Sequence, residues 1–137
     1  MKELFAIENG LNCAANQVLY NLEHREIEFD LLPFLHQHST LNHQLIVMAY
    51  SPVGHDRGLL ENETLKKIAK SHDETCAQIA LAWVLRQPEV IAIPKASNEK
   101  HVRDNARSIE IKLTREDLAD LDREFPPPKS RQPLPTL

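Results

Sequence analysis

Residues 90–105 read VIAIPKASNEKHVRDN. Val90-Ile91-Ala92-Ile93 is a short β-branched run with the length and composition of a buried strand. Pro94 has no N–H to give a ladder, which suits it to the strand's end. Lys95 then places a cation just beyond that end. Ser97 and Asn98 are helix-capping residue types, and Glu99 to Ala106 reads as a helix. A strand end, a lysine and a helix N-terminus together suit a phosphate. Helix amides and the positive end of the dipole face the anion, and the lysine adds a full charge. An ordinary strand-to-helix connection with a solvated lysine has the same local sequence, so the neighbouring segments decide between the two.

Working outward toward the N-terminus, residues 76–87, CAQIALAWVLRQ, are apolar on nearly all sides. Thr75 and Gln78 supply a T-x-x-Q capping box, and Pro88 follows, so a well-buried helix is predicted. Leu65, Ile68, Ala69 and His72 fall at helical spacing, with Lys66, Lys67 and Lys70 outside. Leu45 to Tyr50 is a continuous apolar run, read as a strand buried on both faces of a parallel sheet. Ser51-Pro52-Val53-Gly54 breaks it, and residues 38–44, HSTLNHQ, read as loop. Residues 31–38, LLPFLHQH, form a helix with Asp30 as N-cap and Pro33 in its first turn. Residues 14–21, AANQVLYN, form a strand with Val18 and Tyr20 on one face and Gln17 on the other. Residues 2–8 close a helix at Asn9-Gly10. Beyond the opening stretch, Thr114 and Asp117 repeat the capping-box pattern, with Leu118, Leu121 and Phe125 on one face. Pro126-Pro127-Pro128 ends that helix. The chain thus divides into a body, residues 1–125, and a proline-rich tail, residues 126–137, packed on the surface or frayed.

The order is helix, strand, helix, strand, two helices, strand, helix, helix. Such alternation with buried strands means an α/β fold. The opening helix lacks a strand before it, and three parallel strands leave two unpaired edges, so something should complete the sheet.

At 137 residues the chain is long enough for one domain and a core. A net charge of -4, with no basic stripe, argues against nucleic acid. Cys13 and Cys76 are too few and too far apart for a disulfide framework or a zinc site, and a reducing cytoplasm is the expected compartment. The first ten residues have no apolar core of signal-peptide length, and the apolar run from Leu45 to Gly54 is about half a membrane span.

NQVLYN, VMAYSPVG, QIALAWVLRQP and AIPKASxxxHVRxN, in that order, resemble the C-terminal half of the aldo-keto reductases, nearest their bacterial methylglyoxal- and aldehyde-reducing branch. The resemblance implies part of a (β/α)8 barrel, of which this chain supplies strands six to eight. A whole barrel needs about 250 residues. It also implies NADPH as cofactor and reduction of aldehydes or ketones to alcohols. Gln17 then matches the glutamine that bonds the nicotinamide carboxamide, and Tyr50 the aromatic that stacks on its ring. Ser51, Pro52, Val53 and Gly54 match the turn that meets the pyrophosphate. Lys95 matches the lysine that pairs with the 2'-phosphate. Ser97 and His101 match further adenosine-side contacts, and Asp104 and Asn105 those that meet adenine. Many relatives carry arginine at the His101 position, so the NADPH preference is expected to be softer here.

Two departures stand out. Residues 36–44 are several residues longer than the family's usual connection. Their histidines, His36, His38 and His43, lack nearby acidic or cysteine ligands, so no metal is assigned. The family's catalytic aspartate, tyrosine, lysine and histidine lie on strands absent from these residues, so no catalytic residue is assigned. Tyr20 and Tyr50, the chain's two tyrosines, match other roles. The expectation is the NADPH-binding half of a reductase, inactive alone and completed by a missing N-terminal half. The alternative is an inactive half-barrel that assembles with itself or binds another protein.

Overall fold

Three short strands form one parallel sheet in the spatial order β1-β2-β3: β1 (Ala15–Leu19), β2 (Ile46–Tyr50) and β3 (Val90–Ala92). The computed structural model describes residues 2–38, 45–56 and 58–136. Around the sheet lie α1 (Lys2–Phe5), α2 (Leu31–His38), α3 (Glu63–Ser71), α4 (Cys76–Leu85), α5 (Glu99–Arg107) and α6 (Arg115–Glu124). The element order is the one expected from the sequence.

Register fixes what each face carries. Gln17 pairs with Met48, and Met48 with Ile91, so these three share a row across the sheet. Their face is open: Gln17 is exposed, Ile91 is 43% exposed and Ile93 38%. The opposite face, with Val18, Val47, Ala49 and Val90, is buried under the helices. The expectation of strands buried on both faces is therefore corrected. On the Gln17 face Leu19 is buried and Ile46, Met48 and Tyr50 are half-buried, so this chain covers that face only in part.

The helix layer is built on α4, whose residues Gln78 to Val84 are all buried. Both halves of its capping box are formed: the Thr75 hydroxyl accepts from the Gln78 amide, and the Gln78 side chain accepts from the Thr75 amide. The second box, Thr114 with Asp117, opens α6 in the same way. Asp117 also meets His72 Nε2 at 2.8 Å, tying α6 to the end of α3. Leu121 is buried, with Leu118 and Phe125 packed beside it.

At the N-terminus the helix is shorter than residues 2–8 suggested. The left-handed residue is Asn9, at φ 61°, and Gly10 has another task. A Cβ on Gly10 would sit 1.7 Å from the Leu4 carbonyl oxygen, so only glycine allows that approach. Phe5 docks α1 on α2, with its ring centroid 5.5 Å from that of Phe34. The Asp30 carbonyl accepts from the Phe34 amide, while its carboxylate lies 3.1 Å from Arg131 in the tail. Among the described residues, no helix is long and apolar enough to cross a membrane.

Candidate functional site

Parallel strands in register bring their carboxyl ends to one edge, where open α/β sheets bind ligands. Here β1 ends at Leu19 opposite Tyr50, the last residue of β2. The Ile93 amide donates to the Ala49 carbonyl at 3.1 Å and carries the β3 ladder to the same edge. Pro94 and Lys95 leave from there. The edge therefore gathers Tyr50, the Ser51–Gly54 turn, Lys95 and the approach to α5.

Gln17 and Tyr50 lie on the open face, on adjacent strands and two positions apart in register. Strand spacing and rise put such diagonal neighbours about 8 Å apart at Cα. Tyr50 is half-buried.

The turn after β2 has unusual backbone. Ser51 sits at φ 47° and Gly54 at φ 86°, both left-handed. For serine that conformation costs about 1–2 kcal/mol, so contacts around it must hold it. The Ser51 carbonyl accepts from the Gly54 amide at 3.0 Å and from Asn21 Nδ2 at 2.9 Å. Pro52 is buried and has no N–H, and Val53 packs against the core. With the Gly54 amide closed on Ser51, the turn offers an anion few backbone donors. Its contribution is shape.

Lys95 is exposed and makes no hydrogen bond or ion pair with any described residue. Other cations nearby are engaged: Lys100 holds Asp104 at 2.7 Å, and Arg103 holds Glu99 at 2.6 Å. Of the two capping candidates before α5, Asn98 is the cap, its Oδ1 accepting from the His101 amide at 2.8 Å. Ser97 is exposed in the bend before it, and the His101 side chain is exposed on the first turn. Asp104 and Asn105 are half-buried further along the helix. The Asp104 carboxyl is held below its ordinary range, first by the hydrogen bond from Lys100. The Glu99 and Asp104 carboxylates temper the positive field at the helix start without meeting Lys95.

Below the edge, β1 is anchored by charge. The Tyr20 hydroxyl donates to Glu28 at 2.6 Å. Glu28 also accepts from Arg86 at 2.9 Å and from Arg25 at 2.7 Å. Arg25 reaches on to Asp122 at 2.8 Å and to the Phe125 carbonyl. Both guanidiniums lie over the buried Trp83 ring, at 5.0 and 3.9 Å from its centroid. Burial pushes the Tyr20 phenol above the usual tyrosine range. Tyr20 is buried on the helix side with its hydroxyl committed to Glu28, so it is turned away from the open face.

The sequence reading missed Asn21 and the Glu28 cluster. Asn21 had one local signal: an asparagine directly after a strand tends to bond backbone two residues on, as it does here to the Glu23 amide at 2.9 Å. No sequence signal joins Glu28 to residues 58 positions away. Of the three histidines weighed for metal, His36 Nδ1 meets Glu89 at 2.9 Å and His38 Nδ1 meets the Phe34 carbonyl at 2.7 Å. His43 lies outside the described residues. Among the described residues, no group of three or more His, Cys, Asp or Glu side chains could hold a metal.

A family model described as the aldo/keto reductase family matches residues 2–124. The methylglyoxal reductase YeaE of Escherichia coli (strain K12) is 44% identical over 138 residues, covering 98% of this chain and 47% of that protein. The glyoxal reductase of Bacillus subtilis (strain 168) is 38% identical over 74 residues, 54% of this chain and 26% of that one. An aldo-keto reductase from Klebsiella pneumoniae, solved in complex with NADPH, superposes with a TM-score of 0.91 at 43% identity, over 99% of this chain and 48% of its own. The chain spans about half the length of the E. coli and Klebsiella proteins.

Proposed function

Starting from a chain that belongs to the aldo/keto reductase family, we propose that these residues form the NADPH-binding half of a carbonyl reductase. One observation carries this reading. Lys95, exposed and without a partner among the described residues, stands where β3 meets the start of α5, at the strand edge that also presents Tyr50 and a left-handed turn. The likeness to a reductase solved with NADPH supports it.

The residues fit the group. Lys95 would pair with the 2'-phosphate, with Ser97 and His101 beside it and Asp104 and Asn105 toward the base. Asp104 keeps one carboxylate oxygen for this, since Lys100 holds the other. The Ser51–Gly54 turn would shape the pyrophosphate's path. Tyr50 would bear on one face of the nicotinamide ring, and the Gln17 amide, with both donor and acceptor, would hold the carboxamide. NADPH, when bound, supplies hydride to a carbonyl carbon. The chain's own residues bind and orient. Among the described residues none is assigned the proton for the carbonyl oxygen: Tyr20 faces the helix layer and is fastened to Glu28, and Tyr50 is given to the nicotinamide ring. The acid therefore comes from polypeptide outside these 137 residues.

The open sheet face supports the same division. The cover we assign to it is the first half of a barrel, whether on the same polypeptide or another. In this reading residues 1–125 are the body and 126–137 its proline-rich tail, in a reducing cytoplasm suited to the free Cys13 and Cys76. The same open face also favours a second reading, in which two copies cover each other. Sedimentation separates the two, because a stable dimer at micromolar concentration supports self-closure.

The test is NADPH-dependent methylglyoxal reduction, by this chain alone and mixed with a polypeptide supplying the first five strands. The expected result is no turnover alone and turnover in the mixture. Turnover by the chain alone at rates typical of enzymes would sink the assignment of the acid to another segment.

A further inference from the structure

Asn21 is a fully buried polar residue, 0% exposed, at the exit of β1. Its side chain uses both ends. Oδ1 accepts from the Glu23 amide at 2.9 Å and the His24 amide at 3.0 Å, and Nδ2 donates to the Ser51 carbonyl at 2.9 Å. The backbone closes the same loop, Asn21 and His24 exchanging N–H and C=O bonds at 3.2 Å each way. Asn21 thus folds the β1 exit around itself and fastens it to the β2 exit, 30 residues later.

The residue it grips is the strained one. Ser51 holds φ 47° without being glycine, and such conformations persist only when their surroundings over-determine them. The Ser51 carbonyl has two lone pairs, and here both have donors, the Gly54 amide and Asn21 Nδ2. If Asn21 Nδ2 is removed, the turn keeps one local bond against the serine's preference for negative φ. An aspartate would be worse, because it places a carboxylate oxygen against the carbonyl. Tyr50 immediately precedes Ser51, so a turn that relaxes also moves the end of β2.

We propose that Asn21 is a positioning residue: its carboxamide locks the Ser51–Gly54 turn in the left-handed shape that orients Tyr50 and receives the dinucleotide. The function rests on the NADPH reading above, and the lock itself does not.

The experiment uses the intact chain and three variants, Asn21→Ala, Ser51→Gly and the two combined. Two quantities are read: hydrogen exchange of the Gly54 amide without ligand, and NADPH affinity by fluorescence titration. Asn21→Ala is expected to speed Gly54 exchange at least tenfold, with amides of the buried α4 unchanged, and to weaken NADPH about tenfold. Glycine takes positive φ freely, so Ser51→Gly added to Asn21→Ala is expected to restore most of both. A residue that merely stabilised the fold would speed α4 exchange as well and would not be rescued at Ser51. Unchanged Gly54 exchange in Asn21→Ala overturns the lock. Faster exchange with unchanged NADPH affinity overturns the positioning role. If the unsubstituted chain binds no NADPH while Gly54 exchange responds and is rescued, the NADPH reading and the positioning role fall and the lock stands.

Discussion

Gly54 and Asn21 each hold backbone that another residue would hold less well, and Lys95 is an exposed cation with no partner among the described residues. Gly54 combines φ 86° with a tight neighbour, since a Cβ there would lie 3.1 Å from Leu59 Cβ. Gly54→Ala is therefore expected to lower stability by about 1–2 kcal/mol, the cost of left-handed backbone in an L-residue. Urea denaturation at neutral pH reads this directly, and a change below a few tenths would show that the turn relaxes without cost. Lys95→Ala is expected to leave that same unfolding curve within about 0.5 kcal/mol of the parent, because the side chain is exposed and unpaired. Under the NADPH reading proposed above, its effect falls on cofactor binding. At this scale the sequence was legible where a residue acts locally. Asn98 is a cap because its side chain reaches three residues along its own helix. The partnership of Asn21 with Ser51 was not legible, because nothing local joins positions 30 apart.

At the scale of elements, the helix layer depends on how α4 begins and what holds its far end. Thr75→Ala removes a capping bond from the most buried helix and should cost about 1 kcal/mol. At the other end, Arg86 donates to the Trp83 carbonyl and to Glu28, joining α4 to the turn after β1. Burial alone would raise the Glu28 pKa, but hydrogen bonds from Arg25, Tyr20 and Arg86 outweigh it and hold the carboxyl below its ordinary 4.5. The sign follows from a depressed folded value. The contribution is complete above pH 4.5 and is lost as pH falls from there through the folded pKa, because the unfolded chain takes up the proton first. Asp117, lowered by His72 and Thr114 against its own burial, adds to the same acid loss below its ordinary 3.8. Glu28→Gln is expected to cost roughly 2–3 kcal/mol at pH 7, less than the about 3–5 kcal/mol of a fully buried pair because Arg86 keeps some water. It should also flatten the fall in urea midpoint between pH 5 and 3. An unchanged slope in the variant would remove Glu28 from the acid response.

Both capping boxes were readable because each is written within four consecutive residues. The strands were readable as elements but not as surfaces. Val90 to Ile93 has the composition of a buried strand, and in this chain Ile91 and Ile93 stand partly in water. Composition reports what a segment was selected to contact. It does not say whether the contact lies on the same stretch of chain.

The described residues make up part of a barrel, with one sheet face sealed by helices and the other showing Gln17, Met48, Ile91 and Ile93 in the places a barrel interior would take. Ile91→Lys probes this directly. In the isolated chain it should change stability by less than about 0.5 kcal/mol, since the residue is already 43% exposed. In a mixture with the first five strands it should prevent recovery of turnover. Full recovery with a lysine at that position would mean that the open face is not the assembly surface.

The most direct test is a pair of titrations, NADPH and NADH, into this chain and into Lys95→Ala. The parent is expected to bind NADPH about tenfold more tightly than NADH, the factor that about 1.4 kcal/mol of contact with the 2'-phosphate represents. Lys95→Ala should lose that difference by weakening NADPH alone. Equal affinities in the parent, or a variant that loses both cofactors alike, would contradict the placement of the adenosine end at residues 90–105.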